Sequence, residues 1–114
     1  MKLSKARVIF TECLVRLVLF MKSQGEYPAF DEGMDRITIK DPTSDHMKNS
    51  VHNFGLGQDI ILYNEDGSVK DKTEQHLKYG EWWENYGRSI NVPLRWGGRF
   101  KDGNHYSMEW EGRK

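Results

Sequence analysis

Two short stretches of this chain gather the residue types that hold metal ions and move protons. The first is Ser50-Val51-His52-Asn53-Phe54-Gly55-Leu56-Gly57-Gln58-Asp59, the second Trp96-Gly97-Gly98-Arg99-Phe100-Lys101-Asp102-Gly103-Asn104-His105. Each carries an imidazole and a carboxylate beside glycines that let the backbone turn sharply. A catalytic zinc takes three protein ligands and leaves one position for water, and His nitrogen and Asp oxygen are suitable donors. The cation acidifies that water, and a further carboxylate off the metal must accept the proton and pass it to the leaving amine. His52, Asp59 and His105 fit the ligand roles, with Asp102 as the base. Asp102 lies three residues before His105, so one turn brings both side chains to one point. On residue types alone the same stretches also describe two ordinary turns. Asp59 and Asp102 would then be turn carboxylates, and His52 and His105 partly buried, hydrogen-bonded imidazoles.

These residues need elements to position them. Ala6, Phe10, Cys13, Leu14, Leu17 and Met21 recur at helical steps, so Met1 to Gln24 reads as a core helix, capped by Ser4 and ended by Gly25. Cys13 reads as a small core residue of that helix. Glu26 to Gly33 contains Pro28 and reads as a loop. Arg36-Ile37-Thr38-Ile39 is a short strand candidate, and Lys40 to Asn49 is an exposed polar connection. Gln58 to Tyr63 reads as a strand running into a turn at Asn64-Glu65-Asp66-Gly67. A second helix starts near Thr73, sets Leu77, Trp82 or Trp83, and Tyr86 on one face, and ends near Gly87 or Asn91, before Pro93. Trp96 to Phe100 is turn-prone. His105 to Trp110 forms a final strand, with His105, Ser107 and Glu109 on one side and Tyr106, Met108 and Trp110 on the other. His46 and His76 read as surface residues; Trp82, Trp83 and Trp96 read mainly as core. The expected fold class is α+β: a small, mainly antiparallel sheet with helices packed on it and the zinc site in a groove on the sheet.

Composition narrows the function classes. The chain has 114 residues, the size of a single domain, 1–114. Its Lys+Arg count of 17 equals its Asp+Glu count of 17, which argues against a nucleic-acid partner or a generic anionic-membrane binder. Cys13 is the only cysteine, which excludes an internal disulfide and cysteine-rich zinc fingers. Glu12 and Arg16 interrupt the apolar run of the first helix, so neither a Sec signal nor a stable membrane insertion is expected.

The order Ser50-x-His52-x-x-Gly55-x-Gly57-x-Asp59 resembles the S-x-H-x-x-G-x-A-x-D signature of the D-alanyl-D-alanine carboxypeptidase-like zinc peptidases. Asp102-Gly-Asn-His105 is similar to that family's second signature. Trp96-Gly97-Gly98-x-Phe100 looks like the W-G-G lead-in of its phage-type L-alanyl-D-glutamate endopeptidase (endolysin) branch. Leu3-Ser4 with Phe10, and Trp82-Trp83, also stand in family order.

The resemblance implies a hydrolase that cuts a stem-peptide bond of bacterial peptidoglycan, with L-Ala–D-Glu favoured. It implies zinc on His52, Asp59 and His105, and Asp102 as general base and acid. Arg36 would contact substrate or the oxyanion, and Ser50 would lie at the edge of the substrate groove. Arg36 read on its own is a solvated strand arginine, paired with Asp35 or Glu32. The partner implied is the stem peptide, bound by a monomer. The protein would be made in a host cytoplasm and reach the wall after release by another protein or within a virion, with no attached wall-binding module. Two departures stand out. Gly57 replaces the family's Ala, and Ser107 stands where many members carry Glu, a supporting role that Glu109 would partly fill. Two other readings differ in class: a non-catalytic zinc-containing module that binds peptidoglycan or protein, and a small interaction domain without metal.

Overall fold

The computed structural model describes residues 1–31 and 54–112. Helix α1 spans Leu3–Ser23 and buries Ala6, Phe10, Cys13, Leu14, Leu17 and Met21, the stripe its periodicity predicts. Ser4 does not cap it. The helix starts at Leu3, so Ser4 lies within the first turn, and the extended residue at the cap is Lys2. At the other end Gly25 is left-handed, and the Glu26 N–H reaches back to the Met21 carbonyl at 3.0 Å.

Strand β1 (Tyr27–Asp31) runs where the sequence reads as a loop. Pro28 is tolerated because, among the described residues, β1 is an edge strand paired only with β2 (Gly57–Tyr63), so a missing N–H need not break a ladder on both sides. β2 is central and buries Ile60 and Leu62 fully. The turn after it returns the chain as the two-residue strand β3 (Val69–Lys70). A 3₁₀ turn, Thr73–His76, leads into helix α2, Leu77–Ile90, which ends at left-handed Asn91.

The buried face of α2 differs from the expected one. Leu77 is exposed, and Tyr79, Gly80, Trp83 and Gly87 face inward. Gly80 belongs to that face because a Cβ there would lie 2.0 Å from the Trp96 ring. Strand β4 (Leu94–Trp96), absent from the sequence reading, precedes a 3₁₀ turn over Gly97–Phe100. Strand β5 (His105–Met108) stops short of Trp110, and Ser107 is buried along with Tyr106 and Met108.

The four main strands form an antiparallel sheet in the order β1-β2-β5-β4, with β3 also on β2 and the two helices packed against it. The fold is therefore α+β, as expected. Phe10 of α1 meets Trp83 of α2 edge-on, with ring centroids 6.0 Å apart, and Trp83 meets Tyr106 of β5 in the same way. That aromatic chain ties both helices to the strand that carries His105. Among the described residues no helix is long and apolar enough to cross a membrane.

Candidate metal centre

β2 and β5 are antiparallel neighbours, and their register sets Asp59 directly opposite His105. Opposed residues of an antiparallel pair project from the same face with Cβ atoms about 5 Å apart. The register is held by packing: Ile60, next to Asp59, is fully buried, and a slip of one residue would expose it and turn Asp59 to the other face. The Ile60 N–H also donates to the Asn104 carbonyl at 2.8 Å, immediately before His105. As a result His105 Nδ1 and Asp59 Oδ1 lie 3.1 Å apart, with both side chains mostly buried.

Asp102 arrives from the loop before β5. The buried Trp96 indole N–H donates to the Gly103 carbonyl at 2.7 Å, which draws the loop onto the sheet. The Asp102 N–H donates to the Gly97 carbonyl at 2.9 Å, and the His105 N–H to the Asp102 carbonyl at 3.2 Å. Gly97 is required by this close approach, since a Cβ there would sit 2.4 Å from the Asp102 carbonyl oxygen and 2.7 Å from His105 Cβ. Arg99 braces the turn from outside. Its guanidinium pairs with Glu84 at 2.9 Å and lies over the Trp96 ring. The Trp-Gly-Gly stretch thus has a physical role, which is to fold Asp102 back toward the strand that bears His105.

The three side chains converge. One ligand atom each from Asp59, Asp102 and His105 lies within 4.8 Å of the others, with Asp102 the exposed member. This donor set of carboxylate oxygens and an imidazole nitrogen suits zinc. Donor atoms about 2.1 Å from a tetrahedral zinc are about 3.4 Å from each other, close to the Asp59–His105 separation. His52, the third expected ligand, lies outside the described residues, as do Ser50, Arg36 and His46. Glu109, expected to support His105, instead pairs with Arg95 at 3.6 Å.

Beside Asp102 opens a cleft of about 320 Å³, bordered by Asp31, Lys70, Lys72, Thr73, His76 and Lys101. Asp102 is the residue it shares with the cluster; Asp59 and His105 do not line it. None of Trp82, Trp83 and Trp96 lines it either: Trp83 and Trp96 are core, and Trp82 is stacked between Phe20 and Tyr86.

The sequence reading missed His76. It is 3% exposed, not a surface residue, and its Nδ1 lies 2.8 Å from the Tyr106 hydroxyl. Burial pushes its pKa down to about 4, so the ring is neutral at ordinary pH. A signal was present. His76, Gly80, Trp83 and Gly87 follow steps of four, three and four, and counting the glycines as part of a buried stripe carries that stripe back to His76. Nearby, burial would raise the Glu26 carboxyl, but hydrogen bonds from Lys70 (2.7 Å) and Tyr79 outweigh it and hold the pKa below the ordinary value.

No protein-family model matches the chain, and no curated protein matches it.

Proposed function

We propose that the protein is a zinc-dependent peptidase of bacterial peptidoglycan that hydrolyses a stem-peptide bond, with L-alanyl-D-glutamate the favoured site. The observation that supports this most is the meeting of Asp59 and His105, which come from the two separate signatures, at 3.1 Å with Asp102 beside them. In this reading His52, Asp59 and His105 hold the ion. The chemistry zinc supplies when bound is Lewis-acid polarisation of the scissile carbonyl and acidification of a water. Asp102 is the exposed member of the cluster, open to solvent. It accepts the proton as the water oxygen adds to the carbonyl carbon. It then delivers that proton to the amide nitrogen as the C–N bond breaks. Arg36 stabilises the oxyanion or contacts substrate, and Ser50 borders the groove. A monomer acts on the wall after release by another protein or from a virion.

Elemental analysis combined with a wall-clearing assay tests the proposal. One zinc per chain, with clearing that stops on chelation and returns with zinc, is expected. Purified protein that neither contains zinc nor takes it up on titration rules the enzyme out. Bound zinc without clearing favours a non-catalytic binding module.

A further inference from the structure

His76 takes no part in the proposed chemistry, yet it lines the cleft beside Asp102. Its tautomer follows from its partner. The Tyr106 side chain is fully buried, and its hydroxyl meets His76 Nδ1. A buried hydroxyl that only accepted from this ring would leave its own proton unpaired, at a cost that buried polar groups avoid. Tyr106 therefore donates, Nδ1 accepts, and the ring proton sits on Nε2. Among the described residues no buried side-chain nitrogen or oxygen lacks a partner. Among these residues the His76 ring bonds through Nδ1, so Nε2, without a partner and therefore not fully buried, keeps some solvent contact, and His76 lines the cleft. Around it, Thr73 of the same 3₁₀ turn packs on Gly103, which follows Asp102, so His76 and Asp102 are held by touching segments.

We infer that His76 is a substrate-binding residue whose Nε2–H donates to an acceptor oxygen of a peptide lying in the cleft next to Asp102. A fixed, neutral, largely buried donor recognises a carbonyl or carboxylate oxygen without the desolvation cost of a cation. The rim carries Asp31, Asp71 and Asp102 as well as Lys70, Lys72 and Lys101, so its charge is mixed and the His76 donor, not a net field, selects the oxygen. This assignment rests on the peptidase reading for the identity of the peptide, but the tautomer does not.

The test is long-range ¹H–¹⁵N correlation NMR of the zinc-loaded chain carrying Asp102→Asn, titrated with a soluble L-alanyl-D-glutamyl stem peptide. The expected spectrum shows His76 protonated at Nε2, with that resonance shifting as the peptide saturates. His76→Phe should weaken peptide binding about 3- to 10-fold, as loss of one hydrogen bond does, and His76→Gln, which keeps a donor, should recover part of it. Zinc affinity should not change in either variant. A proton on Nδ1, an Nε2 resonance that ignores bound peptide, or equal binding by a folded His76→Phe protein overturns the inference while leaving the peptidase reading intact. If the Phe variant does not fold, the spectrum of the His76 protein decides alone. Failure of the peptide to bind at all removes the peptidase reading and this assignment together.

Discussion

Asp59 and His105 are opposed across the β2–β5 ladder, with carboxylate oxygen and ring nitrogen 3.1 Å apart, although 46 positions separate them in the chain. A register fixed by the buried Ile60 therefore decides whether a metal centre can exist here. The pair is built on strands rather than loops, so its geometry is set before any ion arrives.

Removing either member should remove the metal. Altering groups that merely support a ligand typically costs about 10- to 100-fold in affinity, so Asp59→Ala and His105→Ala should each weaken zinc by at least about 100-fold. Competition with a chromophoric chelator measures this. Affinity unchanged by either substitution would show that the residue is not a ligand.

Asp102 should separate binding from turnover. Asp102→Ala is expected to keep zinc and fold while losing about 10²- to 10⁴-fold in kcat, the usual contribution of a general base. Steady-state kinetics on purified wall fragments reads the loss. Wild-type turnover from this variant would assign the proton transfer elsewhere.

Gly97→Ala places a methyl group 2.4 Å from the Asp102 carbonyl oxygen and 2.7 Å from His105 Cβ, and backbone must move to admit it. We expect destabilisation of about 1–3 kcal/mol, the range for overpacking, together with reduced turnover because both displaced residues belong to the cluster. Urea unfolding and kinetics report the two effects, and a variant with wild-type values in both would show that the loop relaxes freely.

Stability should fall on mild acidification because of His76. Its folded pKa is about 4 against 6.5 when unfolded, so between these values the unfolded chain binds more protons and acid favours it. The stabilisation is whole above about pH 6.5 and is lost as pH drops toward 4, by up to about 1.4 kcal/mol per pH unit. Glu26, with its lowered pKa, adds loss only below the ordinary carboxylate range. Thermal unfolding from pH 7 to 4.5 should show this slope, and His76→Phe should flatten it. An identical slope in both proteins would place the titration on another group.

Much of the scaffold was legible in the sequence because periodicity reports burial directly. The six inward residues of α1 and the strand from Gln58 to Tyr63 follow from spacing alone. Other features depend on neighbours that spacing does not name. Pro28 marks a loop until β2 supplies a one-sided partner. Leu94–Trp96 is too short to announce itself and becomes a strand only against β5. His76 looks polar and exposed until Tyr106 offers a buried hydroxyl. For the site, residue types and order pointed to His52, Asp59 and His105 with Asp102 as base. His52 lies outside the described residues; the register shows that Asp59 meets His105, and the folded loop before β5 brings Asp102 to them.

The central claim is hydrolysis of a wall peptide by a zinc-loaded protein, and mass spectrometry of peptidoglycan after digestion tests it most directly. Zinc-loaded protein should yield fragments with a newly exposed D-glutamate amine, chelated protein none, and zinc-restored protein the same fragments again. Intact stem peptides in all three digests would contradict the account.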